Sequence, residues 1–172
     1  MIDARVCIEV GDILGWEGDA IVNPAHTSLL AGSGLCGIIH RMAGPELEQA
    51  AKLLAPCPVG EVRVTPAFAL KCRRVIHAVG PRWWDGTRNE IEHQARMYAN
   101  IAVAAETYGM REVTVPAIGI GIHRFPTEIA AEICCTTLAS YVGEVRFRIL
   151  LPSSELANIY RNKLNSLLIK NC

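Results

Sequence analysis
No run of this 172-residue sequence approaches the roughly 18 consecutive apolar residues that a membrane span needs. Its first ten residues, MIDARVCIEV, lack the basic-then-apolar layout of a secretory signal. No Cys-x-x-Cys pair occurs, and no cysteine and histidine share the spacing of a structural zinc site. The seven cysteines (Cys7, Cys36, Cys57, Cys72, Cys134, Cys135 and Cys172) are odd in number and read as reduced thiols of a reducing compartment. An excess of one charge is also missing. Lys+Arg and Asp+Glu both total 17, so no global field draws the chain to nucleic acid or to an anionic membrane, and any bound anion must be held locally. Repeats, linkers and low-complexity tracts are absent. These absences lead to the expectation of a soluble cytoplasmic protein, monomeric, with no metal or cofactor and no nucleic-acid partner.

What is present is globular. Hydrophobic residues make up 51% and charged residues 20%, enough to close one core, so residues 1–172 are expected to form a single domain. The most informative stretch runs from Asp19 to Pro45. Ala20-Ile21-Val22 is a short apolar run suited to a strand buried on both faces. Asn23, Pro24, His26, Thr27 and Ser28 cannot continue it, because proline removes a ladder donor and the others bond local backbone. Gly32, Gly34 and Gly37 then lead into a helix patterned by Leu35, Ile38, Ile39 and Met42, which Gly44-Pro45 ends. Strand, loop, glycine turn and helix N-terminus together predict an anion site built from backbone N–H groups.

The rest of the chain alternates strand and helix. Strands are predicted over Val6 to Val10, Glu61 to Ala69 (an edge strand disturbed by Pro66), Arg74 to Val79, Val113 to Val115 and Val145 to Leu151. Helices are predicted over Pro45 to Leu54, Glu90 to Tyr108 and Pro126 to Tyr141, with a last amphipathic one through Leu156, Tyr160, Leu164 and Leu167. In the third, Ile91, Ala95, Tyr98, Ala102, Ala105 and Tyr108 form the apolar stripe and Gly109 caps the end. The implied fold is α/β: a three-layer α/β/α sandwich with a mixed, mostly parallel central sheet. A second glycine turn, Ala117 to Ile122, follows a strand as the first one does. Both loops should therefore meet at the carboxyl rim of the sheet, with Asp12 at a third strand end beside them. A dinucleotide fingerprint fits poorly, since nine residues separate Val22 from Gly32, and neither loop ends in the Gly-Lys-Ser/Thr of a P-loop.

Gly11-Asp12-Ile13, Asp19 to Asn23, the glycine loop with Gly37 to Pro45, Cys57-Pro58-Val59-Gly60, Val75 to Pro81 and Pro116 to Gly121 stand in the order and spacing of a macrodomain, which the chain resembles over nearly its whole length. The resemblance implies that the ligand is ADP-ribose or ADP-ribosylated protein. Asp12 would then bond the adenine amino group, Ile13 would offer backbone, and Asn23 would hold the loop near the distal ribose. The backbones of Gly32, Ser33, Gly34 and Leu35 and of Gly119, Ile120, Gly121 and Ile122 would cradle the diphosphate, with His123 and Arg124 beside them. Hydrolytic members commonly carry a second Asn in the first loop and an acidic residue ten positions on; here these are His26 and Cys36. Where the family often has an aromatic over the distal ribose, this chain reads Gly121-Ile122-His123-Arg124. The implied function is ADP-ribose binding without efficient turnover, with an ADP-ribosyl hydrolase using His26 and Cys36 as the alternative.

Each residue also has a plainer role. Cys36 and His40, four apart, form either a nucleophile and its neighbour or a small buried residue and a satisfied histidine. His26 is a general base or a solvated loop residue, and Asp12 a ligand contact or a turn cap. Trp83 and Trp84 form a lid or pack on the body. Lys71, Arg73 and Arg74 read as a solvated turn, or with the tryptophans as a weak single-stranded RNA surface.

Overall fold
Ala20–Pro24 (β2) is buried along the apolar run that identified it and lies inside a six-stranded sheet. The computed structural model describes residues 5–170, so Cys172 and residues 1–4 of the N-terminal stretch fall outside the described residues. The other strands are Val6–Val10 (β1), Val62–Pro66 (β3), Arg74–Ala78 (β4), Glu112–Val115 (β5) and Arg146–Leu151 (β6). Their order is β1-β6-β5-β2-β4-β3, parallel throughout except for β3, which pairs antiparallel with β4 at the edge. That edge strand stops at Pro66, short of the expected Ala69. Proline ends the ladder and a turn at Ala67 to Leu70, with Phe68 at φ +53°, takes over.

Five α-helices complete the layers: Gly34–Ala43 (α1), Pro45–Lys52 (α2), Glu90–Thr107 (α3), Thr127–Ala139 (α4) and Ser154–Lys170 (α5). The period-2 alternation of the strands sorts the core into two faces. Ala20, Val22, Ile76, Ile149 and Leu151 pack with Met97, Tyr98, Ile101, Cys134 and Tyr160 of α3, α4 and α5. Ile21, Val75 and Leu150, one residue out of phase, pack with Ile39 and Ala43 of α1 and Leu47 of α2. The sheet is thus covered on both sides.

Two helical stripes differ from expectation. Ile91 and Tyr108 are 42% and 46% exposed, and α3 instead buries Glu90 and Gln94 in its first turns. On α1, Ile38 and Met42 face solvent while Cys36, Ile39, His40 and Ala43 are buried. On α3 the inward polar side chains bond the neighbouring loops, Gln94 the Ile118 carbonyl and Glu90 the N–H groups before the helix, whereas His40 of α1 lies beside His77 of β4.

The sheet also fixes where a cleft opens. After β2 the chain goes to β3 and β4 on one side; after β5 it goes to β6 on the other. The boundary between β2 and β5 is therefore a topological switch point. Pairing between these strands is limited to Ala20↔Val113 and Ile21↔Thr114, so their carboxyl ends part. Among the described residues no helix is long and apolar enough to cross a membrane.

Candidate functional site
A cleft of about 230 Å³ lies where β2 and β5 diverge. His26, Ser33, Gly34, Leu35 and Cys36 line it from the first loop and α1, and Gly119, Gly121, Ile122 and His123 from the second loop. Gly37 sets how closely α1 approaches its own loop. A Cβ at that position would run into the Gly32 carbonyl, so no other residue fits without moving backbone. Ser33, the N-cap of α1, makes no side-chain cap bond. The N–H groups of residues 32–36 accordingly have no acceptor within the protein among the described residues.

The second loop is held from three sides. Gln94 Nε2 donates to the Ile118 carbonyl at 2.8 Å from below. The Gly119 and Gly121 carbonyls accept from Phe125 and Arg124 N–H at 2.8 and 3.0 Å, a curl that needs Gly119 at φ +96°. Trp83 N–H donates to the His123 carbonyl at 2.7 Å, and the Trp83 ring packs on Phe125 at 4.9 Å. With those carbonyls turned into the loop, the N–H groups of residues 119–123 are left without protein acceptors among the described residues. Two rows of free donors thus border one cleft, beside the N-terminus of a ten-residue helix.

One end of the cleft is chemically different. The His26 and His123 rings stand edge to face with centroids 6.2 Å apart. Burial lowers the pKa of His123, the neighbouring His26 lowers it further, and a bond to the Pro81 carbonyl only partly opposes them. Beneath lies Cys36, 3% exposed, whose sulfur receives Asn23 Nδ2 at 3.7 Å and donates to the Leu30 carbonyl at 3.9 Å. Asn23 continues a buried polar chain: its Nδ2 donates to His77 Nδ1 at 3.1 Å, so the ring proton sits on Nε2 and is given to Thr65 Oγ1 at 2.9 Å. Burial pushes His77 down to about 3, and His40, 6.1 Å away, adds to the effect. His40 is buried, yet neither ring nitrogen has a partner among the described residues, so it is not the satisfied histidine expected. Its pKa too is lowered by burial, against an opposing pull from Glu48.

Six expected site residues stand outside the cleft lining. Asn23 is fully buried and acts from below, on Cys36 and His77. Gly32 supplies the carbonyl beside Gly37. Asp12 is exposed at the end of β1, where Oδ1 accepts the Leu14 N–H at 3.0 Å and caps a short 3-10 turn. This is the turn-capping role, on the same rim as the cleft but two strand spacings from β5, about 10 Å. The Ile13 side chain is buried in the cluster against which Leu35 packs. Ile120, within the second loop, packs against the main core, and Arg124 is exposed just after that loop. Cleft walls beyond the expected contact residues are Pro24, Ala25, Ala78, Gly80, Ala117 and Ile118; Pro24 belongs to the polar segment after Ala20-Ile21-Val22 and Ala117 and Ile118 to the second glycine turn, Gly80 stands next to Pro81 at a strand end, and Ala25 and Ala78 carried no local signal. Lys71, Arg73 and Arg74 precede or begin β4 whereas the tryptophans follow it, about 17 Å apart along the strand. Among the described residues no group of three or more His, Cys, Asp or Glu could hold a metal.

Comparisons with known proteins identify the family and the fold. The Macro domain family model matches residues 22–134. A macro domain-containing protein of Mesorhizobium japonicum is 40% identical over 140 residues, covering 81% of this chain and 80% of that protein. An Escherichia fergusonii protein named O-acetyl-ADP-ribose deacetylase is 39% identical and covers 81% of each chain. The Oceanobacillus iheyensis macrodomain with ADP superposes with a TM-score of 0.93 at 32% identity, covering 99% of this chain and 95% of that one. The Trypanosoma brucei macrodomain in complex with ADP-ribose gives 0.83 at 26% identity, covering 92% and 68%. The chain belongs to the macro domain family.

Proposed function
We propose that this macrodomain binds ADP-ribose, free or attached to protein, and holds it without efficient turnover. The observation that carries this reading is the pair of loops whose backbone N–H groups, without protein acceptors among the described residues, face one cleft. A diphosphate between them would complete both sets of donors and meet the positive end of α1. The adenosine half would extend along the rim to Asp12 and Ile13, and the distal ribose would lie between His26 and His123 above Cys36. Among the described residues no carboxylate lines the cleft, which supports binding over chemistry. So does the placing of Cys36, which is buried and turned toward the Leu30 carbonyl, away from any base within hydrogen-bond reach among the described residues.

The second reading, an ADP-ribosyl hydrolase, rests on His26, a group able to take a proton, lining the cleft beside Cys36. The two part in a turnover assay on protein carrying radiolabelled ADP-ribose. Stoichiometric retention without release is the expected result. Release by the intact protein that disappears in His26→Ala would replace binding with hydrolysis.

A further inference from the structure
The loop between β4 and α3 spends its carboxylates on itself and keeps its guanidiniums for solvent. Glu90, 1% exposed, accepts backbone N–H groups from Arg88, Trp84, Gly86 and Asp85 at 2.6, 3.0, 3.2 and 3.3 Å. Burial alone would raise its pKa, but these donors outweigh it and hold the carboxyl at about 2. Asp85 is likewise turned onto the N–H and hydroxyl of Thr87. Arg82 and Arg88, by contrast, lie over the ring of Trp84 at 5.0 and 4.4 Å and form no ion pair among the described residues. Trp84 is 55% exposed. An aromatic ring under a guanidinium restrains it while leaving its N–H edge free for an acceptor. The platform is tied to the cleft through the Trp83 N–H to His123 carbonyl bond. Arg124, exposed on the neighbouring loop, is a third cation without an ion pair among the described residues.

We propose that this Arg82–Trp84–Arg88 ledge docks the polypeptide that carries the ADP-ribose and reads acidic side chains flanking the modified residue. The inference rests on the reading of the cleft as an ADP-ribose site. It adds a partner: a modified chain leaving the cleft past His123 runs onto the ledge, where carboxylates meet guanidinium edges two at a time. Nucleic acid fits less well. The ring that a base would stack on is covered by guanidiniums, the basic turn at Lys71 to Arg74 is at the other end of β4, and the net charge is zero.

The test titrates the whole protein with free ADP-ribose and with two synthetic peptides bearing ADP-ribose on one serine, flanked by Asp and Glu or by Asn and Gln. The acidic peptide should bind roughly fivefold tighter than the neutral one, as expected for two rim ion pairs. The Arg82→Ala/Arg88→Ala variant should abolish that difference and leave free ADP-ribose affinity unchanged. Free ADP-ribose bound with no preference between peptides, or a preference that survives in the variant, overturns the ledge alone. No binding of free ADP-ribose overturns the cleft reading and the ledge with it. Displacement of the acidic peptide by single-stranded RNA at equal or lower concentration assigns the ledge to nucleic acid and overturns the proposal.

Discussion

Gly37→Ala is expected to destabilise the protein by about 2 kcal/mol, or roughly 4–8 °C in melting temperature, and to remove most ADP-ribose affinity. The added methyl meets the Gly32 carbonyl, a backbone atom that has no alternative rotamer to retreat into. Either α1 shifts away from the loop or the loop opens, and in both cases the N–H donors of residues 32–36 lose their aim. Gly121→Ala is the matched control. A Cβ there meets nothing within 4 Å and the residue is not at positive φ, so its stability should stay within about 0.5 kcal/mol of the parent. Thermal melts with and without ADP-ribose compare the two. A Gly37→Ala protein that melts and binds like the parent would show that the helix and loop are not locked together.

Acidification is expected to destabilise the protein from about pH 6.5 downward. In the unfolded chain His77 takes a proton near pH 6.5, whereas in the fold it stays neutral down to about 3. The unfolded state therefore binds more protons throughout that window. The contribution of His77 to stability is complete above pH 6.5 and falls by about 1.4 kcal/mol per pH unit below it. Its neighbours are His40 on α1, Asn23 on β2 and Thr65 on β3, and His40, also depressed, adds to the same slope. Glu90 acts later. Its folded pKa lies below its ordinary 4.5, so its contribution is present above pH 4.5 and is lost as pH falls toward 2. Denaturant melts of the parent and of His77→Gln between pH 7 and 4 measure this. The variant should be less stable at pH 7 and have a flatter slope; an unchanged slope would assign the acid sensitivity to other groups.

Much of the architecture was legible because it rests on short-range pattern. Ala20-Ile21-Val22 reads as a strand covered on both faces and is one, and Pro66 marks the edge strand that it ends. The two glycine loops were legible as a pair because each follows an apolar strand of a parallel sheet. Inward polar residues were not. Gln94 supports the Ile118 carbonyl from a helix whose apolar pattern pointed to Ile91 and Tyr108 instead. Glu90 looked like an ordinary first-turn acid, and nothing local shows that it gathers four N–H groups of the preceding loop. His77 sits in the strand RVIHAV, where its partners come from two other strands. Hydrophobic periodicity records which face is buried, but the polar members of that face are chosen by groups distant in sequence. Trp83 and Trp84 show the same limit: adjacent and identical, one packs on Phe125 and the other stands under two arginines.

Calorimetric titration of the protein with ADP-ribose, alongside Asp12→Ala and Asp12→Asn, tests the central claim most directly. Asp12→Asn keeps an acceptor for the Leu14 N–H and so separates loss of the turn cap from loss of a charged ligand contact. The expected result is a single site in the parent, about tenfold weaker in both variants, in line with one charge-assisted hydrogen bond. No heat of binding in the parent would contradict the account, because two rows of free N–H donors around one cleft would then have some purpose other than holding a diphosphate.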